Sequence, residues 1–271
     1  MTELGPELFP IIDEAEIPLN GTRRLPFEQW PATLPRRESD RYEMAGIVDV
    51  ITEIQLDDPA LANNRVVHAI VSTLTTPFPS EFEVIVDYKG MRRPPSQVPR
   101  GQPDYWSIYE WQLQTYARLR SVQAHARPVL AGALIFLNEL RPTWSDLDAL
   151  RREATAGHTD VAPRMGTDDA RLLAAKRQRG AEPPALSFEF RLERALRVIP
   201  VSTSSQDSAA AHFDDVVFEI EVSRAKERRS PHILAEWPTN ASDDATCAAC
   251  DWRTICPEHP TAVAALPAEE A

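Results

Sequence analysis

Val84-Ile85-Val86-Asp87-Tyr88-Lys89-Gly90 is a short apolar, β-branched run that ends in an acid and a lysine. It predicts a strand. Successive side chains of a strand point to opposite faces, so Asp87 and Lys89 share a face, one pleat apart. An aspartate there can hold a hard divalent cation, and an ammonium beside it can steady an anionic oxygen. The lysine is informative in itself. The sequence has 29 basic residues, and its lysines are Lys89, Lys176 and Lys226 alone. A compact ammonium therefore stands here against a background of guanidinium, and the two are not interchangeable. An ion pair at a strand end accounts for the same two residues without chemistry.

A second acid, Asp49, interrupts Ala45-Gly46-Ile47-Val48-Asp49-Val50-Ile51, another apolar run. Buried and unpaired it would be costly, so it needs a metal, a cation or strong donors; a turn acid at a strand end is the alternative. Gln112 and Tyr116 fall four apart in a stretch where Trp106, Tyr109, Leu113, Tyr116 and Arg120 repeat at helical spacing, so the two share a helix face. Taken alone, that stripe is ordinary amphipathic core. Cys247, Cys250 and Cys256 cluster near the C-terminus, which points to a metal site rather than a disulfide framework.

The elements that must position these residues follow from periodicity. Ala45–Ile51, Arg65–Leu74 and Val84–Lys89 predict three strands in an antiparallel meander. The loop Met91 to Pro103 carries Arg92, Arg93 and Arg100, which can meet phosphates, although a solvated loop is the default. Asp104 caps a helix running to about Arg120, and Val129–Leu137 is a buried strand bounded by Pro128 and Asn138. Helix then strand implies a crossover and a mixed sheet. Ser145 is positioned to cap a helix over Asp146–Ala154. About 155–185 is polar and glycine-broken and reads as an insertion, with a small basic helix after Thr167 holding Arg171, Lys176, Arg177 and Arg179. Phe188, Phe190 and Leu192 alternate, predicting a strand over Ser187–Val201, and Phe213–Arg229 predicts a helix.

Residues 1–41 hold Pro6, Pro10, Pro18, Pro26, Pro31 and Pro35, a density that forbids a long helix, and are expected as an irregular arm pinned by Phe9, Ile11, Ile12, Phe27 and Trp30. Residues 260–271 are expected to be a disordered tail. A chain of 271 residues can bury a real core. The net charge of -12 argues against a general nucleic-acid coat, so any nucleic-acid contact must be local. No apolar run is long enough to span a bilayer, and Met1–Pro10 is acidic rather than signal-like. A cytoplasmic protein without a membrane partner is expected. No Gly-x-x-x-x-Gly-Lys-Ser/Thr stretch is present, so no P-loop motor is expected.

Gly46-x-x-Asp49 on one strand, Asp87-x-Lys89 on a later strand, Gln112-x-x-x-Tyr116 on the next helix and then a strand form an ordered set. That set resembles the PD-(D/E)xK nuclease superfamily and, within it, the RecB-like exonuclease branch, which includes the AddB nuclease module and CRISPR adaptation exonucleases. The likeness covers about Tyr42 to Leu137 and again Phe213 to His259. It implies an α/β, restriction-endonuclease-like core over residues 42–259, with a mixed central sheet flanked by helices and a C-terminal cysteine clasp. It implies that Asp49 and Asp87 bind Mg²⁺ or Mn²⁺, helped by the carbonyl of Tyr88. Lys89 would position or deprotonate the attacking water, and Gln112 and Tyr116 would orient substrate or the lysine. The substrate implied is DNA, as single strands or ends, with a separate helicase or recombination partner, in DNA repair, recombination or defence.

Two departures stand against that pattern. The exonuclease branch usually has a histidine on a helix before the first aspartate, whereas the first histidine here is His68. Cys247-x-x-Cys250-x5-Cys256 is similar to the C-terminal part of the branch's iron–sulfur clasp, yet the sequence has three cysteines and no upstream fourth. An iron–sulfur cluster with a non-cysteine ligand, a Cys₃His zinc site using His259, and an unmetallated clasp all stay open. A metal there would be structural. Two other functions compete: a non-catalytic nuclease-like DNA-binding or scaffold module, and a restriction-type endonuclease.

Overall fold

The computed structural model describes residues 14–26, 30–35, 39–98, 103–175, 180–230, 236–239, 244–254, 256 and 258. Five strands, β1 (Glu14–Arg24), β2 (Arg41–Gln55), β3 (Glu81–Lys89), β4 (Val129–Phe136) and β5 (Leu196–Pro200), lie in that order in one open sheet. Among the described residues the helices are α1 (Arg65–Thr73), α2 (Tyr105–Ser121), α3 (Leu137–Leu140), α4 (Trp144–Ala156), α5 (Asp168–Ala174), α6 (Phe188–Ala195), α7 (Thr203–Glu227) and α8 (Asp244–Ala249). β2 and β3 run antiparallel, β3 and β4 parallel, and β4 and β5 antiparallel, so the sheet is mixed as expected. Parallel neighbours need a crossover, and α2 supplies it between β3 and β4.

The alternation along β3 sorts the two faces. Phe82, Val84 and Val86 join Val50 and Ile54 of β2, Ala131, Ala133 and Ile135 of β4, Val66, Val67 and Ile70 of α1, and Leu192 and Ala195 of α6 in one core. The odd-numbered face of β3, with Glu83, Ile85, Asp87 and Lys89, looks toward α2. Glu83 and Lys89 both bond to that helix. Gly132 of β4 lets α2 come close, since a Cβ there would lie 2.6 Å from Leu113 Cδ1. With both faces covered, β4 is almost wholly apolar and buried.

Four expectations are corrected. Arg65–Thr73 is helix, not strand. Asn64 accepts hydrogen bonds from the Val66 and Val67 amides, and Val66, Val67 and Ile70 then bury one helical face despite their β-branching. Glu14–Arg24 of the supposedly irregular arm is strand β1 at the sheet edge, and β2 pairs directly with β3, with no strand in the middle position expected for Arg65–Leu74. Its Leu19 is buried while Pro18 points outward at the sheet edge, where a missing N–H is tolerated. Ser187–Val201 is not one strand but α6 followed by β5, with Ser187 Oγ accepting from the Phe190 amide. Phe188 and Leu192 meet the main core and Phe190 meets a second one with Leu147, Leu150, Leu173 and Leu186, so two buried faces of a helix mimicked a strand's alternation. Thr143, rather than Ser145, caps α4 through a reciprocal bond with Asp146.

The helix expected over Phe213–Arg229 begins earlier, at Thr203. Asp104 caps α2 and Thr167 caps α5 as expected. Phe9, Ile11, Ile12, Phe27, Arg100, Lys176, Arg177, Arg179, His259 and the tail 260–271 lie outside the described residues. No described helix is long and apolar enough to cross a membrane.

The chain forms two compact units, one with Met44–Ala210 and β1 up to Gly21, the other with Thr22–Glu43 and the chain from Ala211 onward. In the second unit, Arg23 grips the Asp214 carboxylate through two bonds of 2.9 and 2.7 Å, and the Tyr42 hydroxyl donates to the same group at 2.8 Å.

Candidate active site

Antiparallel pairing of β2 with β3 sets Val50 opposite Val86 and Ile51 opposite Ile85. Just beyond the last paired residues, the Asp49 and Asp87 side chains come together. Like charges side by side repel, so two carboxylates so placed call for a cation. Asp49 is half-buried, and its Oδ2 accepts the Tyr88 backbone N–H at 2.8 Å. Asp87 is buried at 5 % exposure. Burial pushes its carboxyl above the ordinary 3.8; the Lys89 ammonium opposes this, and the charge and hydrogen bond of Asp49 add to the rise.

Lys89 shares its face with Asp87, as the two-residue period predicts, and its Nζ lies 2.6 Å from Asp87 Oδ2. That oxygen is buried and makes no well-aligned hydrogen bond. The ammonium also donates to Gln112 Oε1 at 3.0 Å and sits 4.4 Å from the centre of the Tyr109 ring. Gln112 Nε2 donates to the Tyr116 hydroxyl at 2.9 Å. Tyr116 lies against Gly46, where a Cβ would come within 2.6 Å of its Cε1. A chain of contacts thus runs from Gly46 through Tyr116 and Gln112 to Lys89 and Asp87. Tyr109 closes the lysine on its remaining side, and the Tyr109 hydroxyl meets Met91 Sδ at 3.0 Å.

The helix that presents these groups is fixed at both ends. Asp104 accepts from the Trp106 and Ser107 amides at the start. Near the other end Arg120 forms a two-point pair with buried Glu83 at 2.7 and 2.8 Å. Beyond Lys89 the chain is pinned by a buried network. The Arg93 guanidinium binds Asp160 at 2.9 and 2.5 Å, its amide donates to Glu139, and Arg194 grips Glu139 at 2.7 Å twice. Arg93 is 4 % exposed, so it is neither a phosphate contact nor part of a solvated loop. Arg92 is likewise engaged, by Glu153 at 2.6 and 2.5 Å. Of the basic patch expected after Thr167, Arg171 pairs with Asp168.

The sequence-expected residues Asp49, Asp87, Lys89, Gln112 and Tyr116 therefore come together. Tyr88 differs: its side chain packs on the opposite core, so only its backbone belongs to this site. Tyr109 and Gly46 carry more than sequence reading assigned them. Tyr105, Tyr109, Gln112 and Tyr116 fall at steps of four, three and four, a helical face that could have revealed Tyr109.

The donor set suits a hard cation. Two carboxylates face each other, one with an oxygen that makes no aligned hydrogen bond. Mg²⁺ is commonly held by one or two carboxylates, with waters and substrate phosphate completing its shell. Among the described residues no group of three or more His, Cys, Asp or Glu side chains gathers into a metal site. Cys247, Cys250 and Cys256 are half-buried on and after α8 and form no disulfide; their partner in the zinc reading, His259, is outside the described residues. Compared with protein-family models, curated proteins and solved structures, the chain matches none.

Proposed function

We propose that the protein is a Mg²⁺- or Mn²⁺-dependent nuclease that hydrolyses phosphodiester bonds in DNA, acting on ends or single strands, on a restriction-endonuclease-like core. The observation that carries this reading is the convergence of Asp49, Asp87 and Lys89, with the ammonium 2.6 Å from one carboxylate and both carboxylates in contact. A structural ion pair needs one acid; a second acid forced beside it is explained by a cation that both hold.

Asp49 and Asp87, with the Tyr88 carbonyl, would hold the cation, which when bound neutralises phosphate charge and acidifies water. Lys89 is held by Gln112 and Tyr109 as well as by Asp87, so its ammonium would keep its place with a cation on the carboxylates. It then donates to the oxygen on which charge grows as the phosphodiester is attacked. Gln112 accepts from the lysine and donates to Tyr116, which fixes the amide's orientation. The Tyr109 ring covers the ammonium, keeps water from that side and strengthens its field. An iron–sulfur cluster or zinc ion at the C-terminal cysteines would serve structure alone.

The test is incubation of wild type and Lys89→Ala with end-labelled single-stranded and duplex DNA in Mg²⁺ or Mn²⁺. Shortening by wild type and not by the variant is expected. Equal cleavage by both, or none by wild type in either metal, overturns the reading. A closed circle added to the same assay separates the endonuclease alternative, since an end-directed enzyme leaves it intact.

A further inference from the structure

The aromatic face of α2 does not stop at Tyr109. One turn earlier the Tyr105 ring stacks on it, centres 5.9 Å apart and planes 27° apart. Tyr105 is 38 % exposed, and it forms one wall of a cavity of about 220 Å³ shared with Met91, Arg92, Val98, Pro103 and Trp106. That volume is below the roughly 300–1,000 Å³ of drug-sized pockets and suits a single planar ring system. Its position is set by the site. Met91 receives the Tyr109 hydroxyl, and Tyr109 covers Lys89, so the cavity begins two rings out from the ammonium.

The walls select against charge. Arg92, the cation in the lining, is neutralised by two bonds to Glu153. Its Nε–H is buried without an acceptor. Trp106 is fixed by its indole N–H on the Pro95 carbonyl and so is a rigid wall. An uncharged planar group with ring acceptors fits such a cavity; a phosphate does not. The phosphate position is at Lys89, and a nucleobase is what a nucleic acid carries one step from its phosphate.

We infer that Tyr105 is the floor of a stacking subsite for one unpaired nucleobase flanking the phosphate held at Lys89, a reading that rests on the nuclease assignment. A paired base cannot enter without leaving its stack, so the subsite favours single strands and frayed ends over intact duplex. Every base has a π-face, so the preference is for unpaired structure rather than sequence.

The experiment measures binding of a fluorescent single-stranded DNA oligonucleotide in EDTA, where cleavage does not intervene. A series of oligonucleotides each lacks one base, scanned along the strand. Wild type loses affinity at one position by roughly five- to 150-fold, the range for base–aromatic stacking. Tyr105→Ala loses the same factor with the intact strand and nothing more when that base is absent, while Tyr105→Phe binds as wild type. Circular dichroism of each variant verifies folding, and the exposed site makes the alanine tolerable. The subsite is overturned if no abasic position matters, if Tyr105→Ala binds as wild type, or if the two losses add. Should cleavage by wild type and its loss in Lys89→Ala persist in that event, the subsite alone has failed. Absence of both binding and cleavage in wild type would remove the nuclease reading with it.

Discussion

Gly46→Ala is the sharpest perturbation because it never touches the reacting groups. The added methyl would lie 2.6, 3.3 and 3.7 Å from Cε1, Cδ1 and Cζ of Tyr116. Ordinary carbon contacts are about 3.5–4.0 Å, so the ring must move by about 1 Å. Overpacking of this kind costs about 1–3 kcal/mol, which lowers Tm by roughly 2–4 °C per kcal/mol in a chain of this size. The larger effect is positional. Tyr116 accepts from Gln112 at 2.9 Å and Gln112 accepts from Lys89 at 3.0 Å, so a displaced ring releases both. A misplacement of about 1 Å costs on the order of a hundredfold in rate. Calorimetry and initial cleavage rates in Mn²⁺ read the two effects separately. In a Tyr116→Ala background the clash is absent, so Gly46→Ala lowers Tm little further than Tyr116→Ala does alone. Full activity in Gly46→Ala despite a lowered Tm would refute the positional chain.

Two further outcomes follow from the charges. Lys89→Ala in EDTA leaves Asp87 and Asp49 facing each other, and loss of one member of a pair only 14 % and 7 % exposed lowers stability by about 3 kcal/mol. Adding Asp87→Asn to that variant recovers most of the stability in urea melts without restoring cleavage; failure to recover would place the cost elsewhere. Asp87 also sets a pH dependence. Its folded carboxyl binds its proton more tightly than the ordinary 3.8. Its contribution is therefore fully present below that value and is lost as pH rises through the higher folded one. Metal-free stability measured from pH 4 to 7 falls more steeply in wild type than in Asp87→Asn, and equal slopes would contradict the assignment.

The site was legible where local periodicity decides geometry. Asp87 and Lys89 share a face because a strand repeats every second residue, and Gln112 and Tyr116 meet because a helix brings fourth neighbours together. The crossover followed from α2 lying between two apolar strands. What stayed hidden depends on partners distant in sequence. Arg93 reads as a solvent-facing loop arginine until Asp160, 67 residues on, closes on it. Val66, Val67 and Ile70 have strand propensity, and only the Asn64 cap and the core under the sheet make them helix. Ile17 and Leu19 in a proline-bearing arm form a strand because the edge of the sheet tolerates Pro18. Phe188, Phe190 and Leu192 alternate because α6 is buried on two sides.

The proposed activity requires Asp49 and Asp87 to hold one divalent ion jointly beside Lys89. Manganese titration followed by electron paramagnetic resonance, on wild type, Asp49→Asn and Asp87→Asn, measures that binding without any substrate. Wild type is expected to bind Mn²⁺ at a site that weakens in each variant by at least about 10–100-fold, the scale for losing a group that merely orients a metal ligand. Unchanged Mn²⁺ affinity in both variants would contradict it.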